Sequence, residues 1–347
     1  MKDREFSEKI PSSPPFSKGG NERHLQTITF ILSEDITHSR LDQVLAAQLT
    51  DYSRAKIQQW IKAGCVRIDD EIITLPKYHH LKPGQSITLQ IEEQVQQPNW
   101  TAQSLDHTIE IIYQDESLIV INKPVGLVVH PGAGNPDQTL VNALLYQFPE
   151  LQYLPRAGII HRLDKETSGL LVVARTLAAH TYLVKQLQER LIKRDYLALV
   201  NGSVVGGATI ETGFGRHPTQ RTRMAVLHTS ERRAVTHYRV QERFIKHTLL
   251  SVSLETGRTH QIRVHLAHIG FPILGDPLYA KGRVYFPPKA DPQLIQTLQH
   301  FKRQALHAAQ LALQHPLRDE WCVWTAPLPA DFEQLLLALR QHDEKLD

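Results

Sequence analysis

GIIHRLDKETSGLLVVAR, Gly158 to Arg175, is the stretch on which the reading of this chain turns. Two short apolar runs, Ile159-Ile160 and Leu170-Leu171-Val172-Val173-Ala174, bracket a polar insert, and such runs are expected to be buried strand segments. The insert His161-Arg162-Leu163-Asp164-Lys165-Glu166-Thr167-Ser168-Gly169 is then a loop held between rigid walls, where functional side chains concentrate. A charged surface turn would account for an isolated HRLD tetrapeptide.

Downstream, Thr176 is placed to cap a helix carrying Ala179, Leu183, Leu187 and Leu191, with Lys185, Arg190, Lys193 and Arg194 on its polar side. The strand Tyr196 to Val200 follows, with Tyr196, Ala198 and Val200 on one face. Arg216 to Arg233 holds five arginines against one glutamate across a predicted hairpin; Arg216, Arg221 and Arg223 are expected to contact phosphates. The segment TGRTHQIRVHL, Thr256 to Leu266, carries Arg258, His260, Gln261, Arg263 and His265 and leads to Gly275-Asp276-Pro277-Leu278-Tyr279. His260, His265 and His268 invite a metal reading, but no cysteine or carboxylate completes a set with ligand spacing, so no metal is expected. RQALHAAQLALQHP, Arg303 to Pro316, is expected to form a helix and a strand, and an amphipathic helix is expected around Phe332 to Leu339.

Upstream of the central stretch, Ile109 to Tyr113 and Leu118 to Ile121 predict a hairpin, and Val141 to Phe148 a short helix. The intervening Asn122-Lys123-Pro124-Val125-Gly126-Leu127-Val128-Val129-His130-Pro131-Gly132 has the glycines and prolines of a segment that shapes a cleft. Residues 27–95 read as a small module: a strand from Thr27 to Leu32, a helix burying Leu41, Val44, Leu45 and Leu49, then a helix capped by Ser53 and burying Ile57, Trp60 and Ile61. A hairpin turning at Asp69-Asp70 and the strand Ser86 to Ile91 complete it. Arg40, Arg54, Lys56, Lys62 and Arg67 make the module locally basic, as phosphate contacts require. Residues 1–26 are polar and expected to be a disordered tail, 96–107 an aperiodic linker, and 108–347 the second domain.

Composition bounds the classes. With 347 residues, 41% hydrophobic and 22% charged, the chain is long enough for two globular domains. No apolar run approaches the roughly 18 residues needed to span a bilayer. The N-terminus lacks an apolar signal region, and Cys65 and Cys322 are expected to be thiols of a reducing cytosol, so a cytoplasmic protein is expected. A net charge of +3 permits a nucleic-acid partner without demanding one. No P-loop, dinucleotide fingerprint or HExxH occurs.

HRLDKETSG followed by an apolar strand is similar to the catalytic motif of the RluA-type pseudouridine synthases. NKPVGLVVHPG, KRDYLALV, TGRTHQIRVH with GDPLY, and RQALHA with HP resemble that family's further motifs in the same order. RLDxxL and SRxxxxxxIxxGxVxI in the first module resemble the S4 RNA-binding domain, departing from it at Asp69-Asp70 where Asn-Gly is usual. The resemblance implies an α+β protein: a pseudouridine synthase fold whose mixed, largely antiparallel sheet is split by the active-site cleft, behind a small S4 domain. It implies Asp164 as nucleophile, Arg263 as its partner and Tyr196 against the target base. His161, Arg162, Arg258 and Gln261 are expected to contact substrate, Arg162 filling the space left by an extruded uridine or holding its phosphate. The chemistry needs no cofactor, and whether Asp164 attacks C1′, attacks C6 or assists a glycal route stays open. The expected function is isomerisation of uridines in large-subunit (23S) ribosomal RNA by a monomer with no membrane association. The alternatives are the same chemistry on tRNA, or a non-catalytic S4-type RNA-binding or ribosome-assembly protein. A glycoside hydrolase using Asp164 and Glu166 is disfavoured, since residues two apart do not flank a sugar from opposite sides.

Overall fold

The computed structural model describes residues 25–32, 40–49, 54–92, 100–105, 109–132, 134–220, 222–227, 230–282 and 284–346. They fall into two compact units, Met1–Gln96 and Gln97–Asp347. The expected tail through residue 24, the Ser53 cap, the Lys56 side chain and Arg221 lie outside the described residues.

In the first unit the strand β1 (Leu25–Ile31) begins two residues before the predicted one and pairs antiparallel with β4 (Ser86–Glu92). The helices α1 (Leu41–Gln48) and α2 (Arg54–Lys62) lie between them in sequence, followed by β2 (Val66–Ile68) and β3 (Glu71–Ile72), giving the sheet order β1-β4-β2-β3. Leu41, Leu45, Ile57 and Ile61 are fully buried in one cluster with Val66, Ile87 and Leu89, as their helical spacing requires. The Asp69-Asp70 turn adopts φ 48° and 71°, the left-handed geometry that Asn-Gly ordinarily supplies. The Asp69 carboxylate holds it there by accepting from Ser86 N and Gln85 Nε2, both at 2.9 Å.

Arg40 and Arg54 do not present freely to a ligand. Both bind the fully buried Asp42, Arg40 through Nε and Nη2 at 3.0 and 2.9 Å and Arg54 through Nε at 3.0 Å. Burial pushes the Asp42 carboxyl up, but Gln58, Arg40 and Arg54 together hold it below its usual range. Lys62 is exposed, and Arg67 donates to Asp70 O at 3.3 Å.

The second unit is built on a ten-stranded sheet. Its strands are β5 (Glu110–Gln114), β6 (Leu118–Lys123), β7 (Ser168–Ala174), β8 (Lys193–Asn201), β9 (Ala208–Arg216), β10 (Met224–Val226), β11 (Arg233–Arg243), β12 (His247–Leu254), β13 (Leu306–Gln314) and β14 (Trp321–Thr325). The path runs β10-β9-β11-β12-β8-β13-β7-β6-β5, with β14 on the far half of β13. Among the described residues only β7 and β13 pair in parallel, so the sheet is mixed and largely antiparallel. The helices α3 (Leu140–Gln147), α4 (Leu177–Gln188), α5 (Gln261–His268), α6 (Pro292–His300) and α7 (Ala330–Glu344) pack around it. All seven residues of β7 are buried, which explains its unbroken apolar run.

Several expectations are corrected here. Ile159-Ile160 is buried but forms no strand; Ile159 makes a single bridge to Val173. The chain around Arg303 is extended into β13 with no helix, because Leu306 to Leu313 pair with β8 and β14. α4 is capped by Thr176 Oγ1 accepting from Ala179 N, but it ends at Gln188, leaving Leu191 exposed and placing Arg194 on β8. Residues 100–105, expected in the linker, dock instead. Trp100 packs on the core, Asn142 Nδ2 donates to Thr101 O, and Gln103 N donates to Asn142 O.

β13 separates β7 from β8 and sets the height of the loop before β7. Gly169 sits at φ +110° against it, where a Cβ would lie 2.2 Å from Ala308 O. Gly169→Ala is therefore expected to destabilise the protein by more than about 2 kcal/mol, combining backbone strain with a contact that only strand displacement relieves. A thermal melt checks this; an unchanged midpoint would show that β13 yields freely.

Candidate active site

The loop from His161 to Thr167 is tied down from three directions. Lys123 Nζ donates to Lys165 O at 3.1 Å, and to Pro124 O and Leu127 O at 2.7 and 3.0 Å. Gly126 N also donates to Lys165 O. Arg303 Nη1 donates to Glu166 O, and Gln304 Nε2 to Thr167 Oγ1 at 3.1 Å. Burial pulls the Lys123 ammonium down to about 7, against the opposite pull of Glu166 and Asp164. Three donors matched to three carbonyls make Lys123 a structural clamp rather than a reacting group. Ser168 Oγ shares a 2.9 Å hydrogen bond with His307 Nδ1 at the loop's end, fastening β7 to β13.

Held in this way, Asp164 faces a cavity of about 540 Å³. Arg263, the third residue of α5, donates from Nη1 to Asp164 Oδ2 at 2.9 Å. Its Nε and Nη2 grip Asp276 at 2.7 and 3.0 Å, and Asp276 Oδ1 also accepts Leu278 N and Tyr279 N. Burial would lower the Arg263 guanidinium, but the two carboxylates, Asp276 foremost, raise it above the usual arginine range. The arginine is thus fixed at both ends, and its fork aims one N–H at Asp164.

His260, in left-handed conformation at φ 58°, places Nε2 3.9 Å from Asp164 Oδ2. Its Nδ1 shares a 2.9 Å hydrogen bond with Tyr279 Oη, which accepts Met224 N at the same distance. Burial lowers His260, with Asp164 opposing. Tyr196 is 5% exposed on the cavity wall; burial raises its phenol, so the hydroxyl keeps its proton near neutrality.

Of the residues expected to touch substrate, His161, Arg162 and Arg258 line the cavity, the two arginines as exposed side chains. Gln261 also borders it but is committed elsewhere. Its Oε1 accepts from Arg258 N and Thr256 Oγ1, and its Nε2 donates to Val235 O and Thr236 Oγ1. With all four hydrogen-bonding positions filled, it shapes the TGR loop and has nothing left for a base. Glu166 is not among the lining residues, which removes the paired-carboxylate arrangement. Arg223 bonds Gln220 and lies 5.1 Å from the Tyr279 ring centroid, while Arg216 is exposed at the end of β9. His265 is buried between Thr212 and Thr236, and no described group of three or more His, Cys, Asp or Glu is placed to hold a metal ion. Sequence reasoning gave no role to Asp276, Tyr279, His260 or Arg194; GDPLY was the available signal for the first two.

The sequence model of the RNA pseudouridylate synthase family matches residues 117–268, and that of the S4 domain matches 39–86. The chain is 50% identical over 305 residues to ribosomal large subunit pseudouridine synthase D of Pseudomonas aeruginosa, covering 88% of this chain and 93% of that one. The chain belongs to the RNA pseudouridylate synthase family. The Haemophilus influenzae protein of the same designation is 47% identical over 312 residues, 89% of this chain and 94% of its own. Among solved structures, human RNA pseudouridylate synthase domain containing 4 superposes with a TM-score of 0.52 at 27% identity, covering 67% of this chain and 93% of its own. As a pseudouridine synthase with an S4 domain, the protein isomerises uridine in RNA, and all the residues lining the cavity around Asp164 except Leu306 fall within the matched segment. No helix among its described residues is long and apolar enough to cross a membrane.

Three wholly or partly buried histidines of this synthase domain make its stability depend on pH. Burial, aided by nearby arginines, pushes His130 down to about 4 and His161 to about 3; burial also takes His247 to about 4. An unfolded histidine titrates near 6.5. Between about pH 6.5 and 4 the unfolded chain therefore binds protons that the folded state refuses. Stability is full above that window and falls as pH drops through it, by up to about 1.4 kcal/mol per pH unit for each such group. Urea midpoints at pH 7.5 and 5.5 check this, and equal midpoints would mean the imidazoles accept protons in place.

Proposed function

We propose that the substrate is large-subunit ribosomal RNA and that Asp164 is the nucleophile of the isomerisation. The observation that carries the site is the 2.9 Å pair of Asp164 with Arg263 on the wall of a cavity that also presents Tyr196. The substrate reading is supported by the large-subunit designation of relatives that match nearly end to end.

The reaction breaks the bond from uracil N1 to C1′, turns the base and joins C5 to C1′. One bond to C1′ replaces another without change of oxidation state, so no cofactor or metal is called for. Asp164 supplies a carboxylate oxygen to the sugar or the ring, and Arg263, donating to Oδ2, aims it. Tyr196 lies against the base as an intact phenol. Arg162, exposed two residues before Asp164, enters the stack as the uridine leaves it, offsetting part of the few kcal/mol that extrusion costs. His161 and Arg258 complete the contacts to the nucleotide. Arg216, Arg221 and Arg223 form a second edge for phosphates.

The N-terminal module adds affinity through Lys56, Lys62, Arg67 and the outward faces of Arg40 and Arg54. The enzyme works as a monomer in the cytoplasm. Deleting residues 1–96 is expected to weaken RNA binding and flatten its salt dependence while slow turnover at high enzyme persists. An unchanged salt slope would deny the module its role.

Asp164→Asn keeps the shape of the side chain and removes its charge. The expected loss in single-turnover rate is about 1,000-fold or more, with RNA affinity nearly unchanged because phosphate contacts elsewhere supply most of it. Arg263→Lys keeps a charge without the planar fork and is expected to lose roughly 100-fold. Release of tritium from C5 of labelled RNA measures both. Near-normal turnover by a well-folded Asp164→Asn protein ends the nucleophile reading, and release from tRNA but not ribosomal RNA ends the substrate reading.

A further inference from the structure

Three arginines are buried among the described residues, and they differ in one respect. Arg263 is paired with Asp164 and Asp276, and Arg303 with Asp331. The Arg194 residue is only 6% exposed, yet its side chain makes no hydrogen bond or ion pair to any described residue, and its Nε is enclosed without a partner. A buried, unpaired cation opposes folding, so its retention calls for a ligand that the free protein lacks.

The surroundings say where that ligand sits. Arg194 and Tyr196 are two residues apart on β8, so their side chains share a face, and both line the cavity that Asp164 lines. The nearest acid in sequence, Asp195, points to the other face and accepts from Ser253 Oγ at 2.5 Å. Above the guanidinium runs the TGR loop, where a Cβ on Gly257 would come within 2.6 Å of Nη1; the glycine leaves the charge uncovered. A second unmatched donor opens on the same cavity. His161 Nε2 accepts Val172 N at 3.4 Å, which leaves the ring proton on Nδ1, and that atom is buried without a partner. Burial keeps this imidazole neutral, its ionisation pushed down to about 3. A cation and a neutral N–H beside the base-facing Tyr196 complement a carbonyl oxygen that gains charge during reaction. Phosphates have the exposed Arg162 and Arg258 at the rim.

We infer that Arg194 is a further catalytic residue, binding an oxygen of the target uracil and holding the negative charge the base acquires as it leaves the sugar. This rests on the proposed function above. When the N1–C1′ bond breaks, its electron pair stays with the uracil and is shared between N1 and the carbonyl oxygens, while C1′ is held by Asp164. When instead Asp164 adds to C6, the ring π electrons move onto O4. Either way a uracil oxygen becomes anionic. On either route the N1–C1′ bond is broken and C5 bonds to C1′; the bond from Asp164 to C1′ or C6 then breaks, returning its electron pair to the carboxylate, the C5 proton leaves and N1 takes up one proton, so the base is isomerised with nothing gained or lost. A fixed donor at that oxygen acts where charge develops.

The test uses full-length Arg194→Met, similar in volume and uncharged, with Arg194→Lys beside it. The proposal expects Arg194→Met to melt at or above the parent temperature, because an unpaired buried charge is gone. Its single-turnover rate at saturating ribosomal RNA should fall about 100- to 1,000-fold, with RNA affinity and its salt dependence unchanged. Arg194→Lys should recover part of the rate. A tenfold loss of affinity with a shallower salt slope, the rate at saturation being kept, would overturn the proposal in favour of a phosphate contact. A lowered melting temperature with activity lost only in proportion would overturn it in favour of a structural role, and Arg194→Lys gives the same comparison if Arg194→Met fails to fold. The unaltered protein distinguishes the two readings: inactivity on ribosomal RNA brings down the proposed function itself, whereas an active parent beside an equally active Arg194→Met protein brings down this inference alone.

Discussion

Everything in the catalytic unit answers to the position of one guanidinium. Arg263 lies between Asp276, which it grips through two N–H groups, and Asp164, which it reaches with a third. An arginine bound on one side only could rotate and carry Asp164 with it. Asp276 prevents this, and is itself pinned by the backbone N–H groups of Leu278 and Tyr279. The chain order follows: α5 must begin just before Arg263, and the GDPLY turn must return to meet it. Tyr279 then bridges Met224 N and His260, tying the basic hairpin at β9 and β10 to the same anchor.

The Asp164 loop meets this anchor only because the sheet brings it there. β13 runs between β7 and β8, so the loop before β7 and the start of β8 open on one cavity although thirty residues separate Asp164 from Arg194. The close approach of β7 to β13 leaves no room for a side chain at Gly169, and the bridge at Ile159 leaves none at Gly158, where a Cβ would lie 2.0 Å from Ala174 O. Lys123 completes the enclosure, its ammonium standing where water would otherwise satisfy three carbonyls. Such a loop changes shape only if several hydrogen bonds break together, which is the preorganisation that positioned chemistry needs.

What the sequence disclosed, and what it did not, divides by the range of the interaction. The helices of the first module, the all-buried β7 and the Thr176 cap depend on spacing within a few residues, and they were legible. The motif order also located Asp164, Arg263 and Tyr196. The misreadings share one cause, a distant partner. Ile159-Ile160 looks like a strand but meets only one residue of β7. Arg303 to Leu306 looks helical by composition, yet pairing with β8 draws the chain out. Arg40 and Arg54 look like free cations until Asp42 is seen buried beneath them, and Gln261 looks available until its four partners are counted. Charge and hydrogen-bonding capacity can be read from residue types; whether they are already spent cannot.

That distinction also explains how a chain of net charge only +3 handles a polyanion. Several of its arginines are neutralised internally: Arg175 by Glu150, Arg190 by Glu255, Arg233 by Glu211, Arg303 by Asp331 and Arg340 by Glu242. Those pairs fix elements to one another and contribute little field at a distance. Arg162, Arg258 and Arg194, without a carboxylate partner among the described residues, line the cavity, the first two as exposed side chains and Arg194 in its wall. Together they bring positive charge to the cavity in which a nucleotide would sit. Arg162 and Arg258 are exposed enough for salt to screen them, whereas Arg194 is enclosed and screened little. Cations of one cavity are thereby set apart by burial alone, which a sum over the sequence does not reveal.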